Sequence, residues 1–165
     1  MRALSRHWPL IALLLSAAAL AVAHAFQTFG HLAPCTLCLK QREVYWIALG
    51  LAGLGVAAGF TPWKARGTRI ACVGLGVIFL YGAGLAAWHA GVEWKWWPGP
   101  AACSGRGQVS SADLAALIHG AKMSIPACDK PAWVFLGLSM AGWNALLSLG
   151  LGVLSVIAAA RKPAP

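Results

Sequence analysis

Four long apolar runs, at residues 9–26, 44–60, 70–88 and 133–160, contain no Asp, Glu, Lys or Arg, and no other feature restricts the fold as tightly. Each comes close to the roughly 20 apolar residues a helix needs to cross about 30 Å of hydrocarbon. In lipid every backbone N–H and C=O must be paired within the protein, which leaves only helices and closed barrels. Unbroken runs favour helices. Composition agrees, since 10% of the 165 residues are charged and mean hydropathy is +0.70, where a soluble domain carries about 25% charged residues. The sequence predicts one all-α integral membrane domain over residues 1–165, a four-helix transmembrane bundle with outer loops at 27–43 and 89–132 and an inner loop at 61–69.

The net charge of +9 invites a nucleic-acid reading, but the charges follow the runs. Arg2 and Arg6 precede the first, Lys64, Arg66 and Arg69 fill the connection after the second, and Arg161 and Lys162 follow the fourth. An even number of spans places these groups on one side, which the positive-inside rule makes cytoplasmic. All four acids, Glu43, Glu93, Asp113 and Asp129, fall on the other side. The partner implied is a lipid bilayer and not a nucleic acid; the expected place is a bacterial inner membrane, multi-pass, with both termini cytoplasmic. The basic start, the first apolar run and Ala23-His24-Ala25 resemble a cleavable signal peptide. An uncleaved first helix fits the even count better.

That topology sorts the cysteines. Cys35, Cys38, Cys103 and Cys128 lie outside, and Cys72 sits near the inner end of the third run as a small apolar side chain. Outer cysteines facing an oxidising periplasm pair readily. Three pairings are open, and the local one, 35 with 38 and 103 with 128, is the simplest. Closing about 26 residues between Cys103 and Cys128 would restrict the unfolded chain by on the order of 3 kcal/mol. A Cys-X-X-Cys ring closes almost no chain, so exchange chemistry suits Cys35 and Cys38 better than stapling. A zinc site would need a second Cys or His pair at ligand spacing, and none of His7, His24, His31 and His119 supplies it.

A helix beginning near Pro34 would set Cys35, Cys38 and Arg42 at i, i+3 and i+7, a narrow stripe on one face. The positive end of the helix dipole would favour thiolate there. Arg42 reads either as a snorkelling side chain or as a guanidinium that polarises the carbonyl of a membrane-soluble electron acceptor. An acceptor is required because making each disulfide releases two electrons, which exchange merely hands along. With no haem, Rossmann or iron–sulfur signature in view, a lipid quinone is the available candidate cofactor.

In the second outer loop Trp94, Trp96 and Trp97 read as an interfacial aromatic belt, and Pro98, Gly99 and Pro100 break any helix before Cys103. Residues 110–123 show a short amphipathic pattern that predicts an interfacial helix. His89, where the third run meets the outer face, is first a packing residue and second a candidate at the acceptor site, since quinone reduction takes up two protons.

With "CTLCLKQR" at the second run, "GVEWKWWPGPAAC" in the loop and "PACDKPAWVFLGLSMAGWN" entering the fourth, the chain resembles the DsbB family of membrane disulfide-forming proteins over nearly its whole length. The resemblance implies a relay. A reduced periplasmic DsbA-type thiol oxidase attacks at Cys103, Cys128 exchanges with Cys35, and Cys38 passes the electrons to a bound quinone, ubiquinone or menaquinone, contacted by Arg42. It thus implies an enzyme, a protein-dithiol:quinone oxidoreductase drawing on the membrane quinone pool. Two other readings stand beside it. One is a Cu(I) carrier using Cys35 and Cys38 as thiolate ligands. The other is a structural bundle stapled by two disulfides, with Gly55-X-X-X-Gly59 bringing helices close.

Overall fold

The computed structural model describes residues 2–100 and 128–161. Four helices carry the fold: α1 over Arg2–Thr28, α2 over Thr36–Ala58, α3 over Lys64–Glu93 and α4 over Met140–Ala160, with a small hairpin, β1 Val134–Phe135 and β2 Leu138–Ser139, before α4. Three stretches, His7–Thr28, Lys64–Glu93 and Met140–Ala160, are long and apolar enough to cross a membrane. α2 differs because its first turns carry Lys40, Gln41, Arg42 and Glu43. Its purely apolar part, residues 44–58, rises only about 22 Å at about 1.5 Å per residue.

Each helix packs on its neighbour in sequence. α3 packs most extensively on α4, α2 lies against both α1 and α3, and α1 touches α4 to close the bundle. The main core gathers Trp8, Ala48, Ala52, Cys72, Leu75, Phe79 and Leu151. Near the start of α1 the Trp8 indole N–H donates to the Ser155 hydroxyl at 2.8 Å, and Ser155 donates in turn to the Leu151 carbonyl at 2.7 Å. Where lipid replaces water, such bonds and close packing hold helices together in place of a hydrophobic driving force.

Residues 133–139, read from sequence as part of the fourth apolar run, form the hairpin instead, with Val134 opposite Ser139 and Phe135 opposite Leu138. Leu136 and Gly137 both take positive φ, 50° and 78°. Two central residues of that hand make the tight turn whose twist matches antiparallel strands. Trp133 stacks on Phe135 and meets Phe26 of α1, while the Trp143 indole donates to the Phe135 carbonyl at 3.1 Å. The hairpin is thereby fixed across the end of α1 and the start of α4. The interfacial helix expected at 110–123 lies outside the described residues.

Candidate active site

α2 begins at Thr36, two residues later than a proline at the first helical position suggests. Cys35 is its N-cap, and the Cys35 sulfur accepts the N–H of Cys38 at 3.3 Å. Ser or Asp ordinarily fills that place by offering an oxygen to an unpaired N–H. A thiolate does the same and is favoured by the dipole. Cys35 and Cys38 are free thiols, so the pairing expected between them is present as a hydrogen bond with the sulfurs 2.8 Å apart.

Around Cys35 the remaining groups converge from other elements. His89, near the end of α3, places Nε2 at 3.7 Å from the Cys35 sulfur. Cys128, 1% exposed, is disulfide-bonded, and its sulfur, the Cys35 sulfur and a His89 nitrogen lie within 4.8 Å of one another. Cys103 is outside the described residues. The same Nε2 of His89 stands 3.8 Å from Glu93 Oε1; Glu93 is buried, with Oε2 unpaired among the described residues and the Ser139 hydroxyl against its carboxyl.

The thiols are strongly polarised. Cys35 is held well below the ordinary thiol value, to about 4, first because the Cys38 thiol donates to it and then because His89 and the Cys38 backbone also donate, against an opposing cost of burial. Cys38 is pushed up, first by giving its hydrogen bond to Cys35 and then by burial. Thiolate is thus favoured at Cys35 over Cys38.

Sequence reasoning did not find the polar chain behind His89. Gln41 Nε2 lies 2.7 Å from His89 Nδ1 and donates to the Leu37 carbonyl at 3.3 Å. Asn144 of α4 donates to Gln41 Oε1 at 2.6 Å, and the Tyr45 hydroxyl donates to Asn144 Oδ1 at 2.6 Å, with Ser148 beside it at 3.0 Å. The signal that was available is Gln41 and Asn144 themselves, amides in or next to apolar runs.

Arg42 is placed otherwise than the stripe suggested. Its guanidinium turns to α1, donating to Gln27 Oε1 at 2.6 Å and to the Ala23 carbonyl at 2.9 Å, and neither bond involves a thiol. Along the same seam of α1 and α2 runs an apolar groove of about 350 Å³, lined by Ala17, Leu20, Ala21, His24, Trp46 and Leu49. Cys38, Arg42, Trp46 and Leu49 follow one another at helical spacing. An apolar groove on the seam where a guanidinium is bonded to Ala23 of α1 fits a quinone, which has an apolar body and acceptor oxygens. The cluster of Cys35, His89 and Cys128 does not make a metal centre, because a sulfur held in a disulfide is not the thiolate a soft metal requires.

Helices of membrane length, two polarised thiols and a disulfide sulfur beside them define a membrane protein with a cysteine cluster at one end of its bundle. The chain belongs to the DsbB family: the family model for Disulfide bond formation protein DsbB matches residues 5–158. Among relatives named Disulfide bond formation protein B, the one from Dechloromonas aromatica (strain RCB) is 32% identical over 151 residues, covering 86% of this chain and 84% of that one. The one from Methylococcus capsulatus (strain ATCC 33009 / NCIMB 11132 / Bath) is 32% identical over 157 residues, 90% of each chain. No solved structure matches the chain.

Proposed function

We propose that the protein is an inner-membrane thiol:quinone oxidoreductase that reoxidises a periplasmic DsbA-type dithiol protein. The observation that carries this reading is the approach of the Cys35 and Cys128 sulfurs to within 4.8 Å of one another. α2 crosses the membrane with the other three helices, its polar start at the periplasmic face. An incoming dithiol attacks Cys103 of a Cys103–Cys128 disulfide and releases the Cys128 thiolate. That thiolate attacks Cys35 of an oxidised Cys35–Cys38 pair; the Cys35–Cys128 bond forms, the Cys35–Cys38 bond breaks, and the electron pair leaves on Cys38.

A quinone bound along the α1–α2 seam, near Arg42, supplies the two-electron, two-proton sink. The chain's own contribution is to stabilise thiolate at Cys35, to hold Arg42 on α1 through Gln27 and Ala23, and to keep water away from the buried Cys35 sulfur. The test mixes the purified protein, a reduced DsbA-like protein and a soluble quinone analogue, and follows quinone absorbance. Wild type reduces the quinone and Cys38→Ser does not. Normal quinone reduction by Cys38→Ser would overturn the proposal.

A further inference from the structure

The amide of Gln41 touches no sulfur, yet the hydrogen-bond geometry points to Gln41 as the residue that sets which nitrogen of His89 faces Cys35 with a proton. We infer that Gln41 is a positioning residue which locks His89 in its Nε2–H tautomer, so that the ring acts on Cys35 as a hydrogen-bond donor and not as a base. The inference rests on the exchange role proposed for Cys35, and it adds how that thiolate is supported.

The Leu37 carbonyl orients the Gln41 amide. A backbone carbonyl can only accept, so the Gln41 group 3.3 Å from it must be the NH₂. An amide's oxygen and nitrogen are otherwise assigned from their surroundings, and here the surroundings leave one choice. With the NH₂ fixed, its second hydrogen points to His89 Nδ1 at 2.7 Å, and Nδ1 must be the accepting, bare nitrogen. Gln41 Oε1 then faces an amide N–H of Asn144 at 2.6 Å, and Asn144 Oδ1 accepts from the Tyr45 hydroxyl at 2.6 Å. Every donor in the chain meets an acceptor. The opposite orientation sets two carbonyl oxygens against each other at Leu37.

Because Nδ1 is bare, the ring proton of neutral His89 is on Nε2, which faces the Cys35 sulfur at 3.7 Å and Glu93 Oε1 at 3.8 Å. The groups that surround His89 are thus Cys35 with Cys38 behind it on α2, Glu93 on α3, and Cys128. A base at this point would need its lone pair toward sulfur, and Gln41 holds that lone pair on the other side. A second ring proton would sit on Nδ1 against a Gln41 N–H. Neutral histidine shows such tautomer selection wherever its other nitrogen has a fixed partner.

Two measurements on the full-length reduced protein in detergent test this without any quinone. Nitrogen NMR of labelled wild type is expected to show His89 with Nδ1 bare and Nε2 protonated near neutral pH; finding Nδ1 protonated overturns the inference. The second is the pH profile of Cys35 alkylation. Gln41→Leu frees the ring to turn its lone pair to Cys35 and should raise the midpoint by about one pH unit, the size of one lost hydrogen bond to a charged group. Gln41→Glu keeps the shape, gives Nδ1 an acceptor for a second proton, and should lower the midpoint. A structural role alone would move both variants the same way or neither, and either result overturns the inference even where Gln41→Leu folds poorly. If quinone reduction fails in wild type while these shifts appear, the exchange proposal falls and the tautomer lock stands.

Discussion

Cys35 and Cys72 are both buried thiols, 6% and 1% exposed, yet they sit in opposite settings. Cys72 lies in the main core among Trp8, Leu75 and Phe79, with no hydrogen bond among the described residues. Cys35 lies at the other end of the bundle, where Cys38, His89 and a helix N-terminus all donate to it. Burial removes water from each. What separates an inert sulfur from a nucleophile is whether donors replace that water, because desolvation alone disfavours the anion.

The largest test of the comparison removes each sulfur in turn. Cys35→Ala should lower the rate of dithiol-dependent quinone reduction by on the order of a thousandfold or more, as loss of a sulfur that forms the exchange bond does. Cys72→Ala should leave that rate unchanged and cost about 1 kcal/mol of stability in a detergent unfolding assay, the scale of a small buried void. If Cys72→Ala also silences the enzyme, the two thiols are not different in kind.

Next in size is the pH response. The Cys35 value is lowered to about 4 from the ordinary 9.0, with Cys38 as the first cause. Alkylation of Cys35 in the reduced protein should therefore hold its plateau through neutral pH and fall as pH drops through about 4. The sign for stability follows: thiolate stabilisation of the reduced fold is complete above the ordinary thiol value and is lost as pH falls through the lowered one. Cys38→Ala takes away the first donor, and the midpoint should rise by more than about one unit, a tenfold or greater loss of thiolate at acid pH. An unmoved midpoint in Cys38→Ala would assign the activation to His89 and the helix end instead.

At the end of the bundle away from Cys35 the matching change is Trp8→Phe, which deletes the donor to Ser155 while Ser155 keeps its bond to the Leu151 carbonyl. The expected cost is about 1 kcal/mol of stability with no change in the Cys35 pH profile. Both ends of the bundle hold buried polar contacts, but only those near Cys35 are wired to a sulfur.

Much of this was legible in the residues. Apolar runs free of charge announced the helices, and the Cys-X-X-Cys announced the thiols, because lipid tolerates few alternatives to either. The hairpin was hidden because Val134, Phe135 and Leu138 are as apolar as any helix residue, and only Gly137 marked the turn. α2 starts at a cap that is a cysteine, for which capping rules hold no entry among Ser, Thr, Asp and Asn. Gln41 and Asn144 could be noticed as amides near lipid, but which amide faces which ring is a matter of how α2, α3 and α4 meet. The same applies to Arg42, whose spacing matched the thiols while its reach took it to α1.

The smallest expected effect concerns how Cys128 is kept over Cys35. Asp129, its neighbour in sequence, pairs with Lys95 just beyond the end of α3, and that contact holds the Asp129 carboxyl below its usual value. The pair is exposed, so water and salt screen it and two flexible side chains must be ordered to make it. Asp129→Asn should slow Cys128–Cys35 exchange by only about two- to threefold, an effect that vanishes as salt is raised past the point where the Debye length falls to about 3 Å, near 1 M. A much larger, salt-insensitive loss would mean that the carboxylate itself takes part in the exchange. The ordinary outcome, a small screened effect, would leave buried contacts such as those at Cys35 as what positions the sulfurs, with the surface pair only steadying the chain that brings Cys128 in.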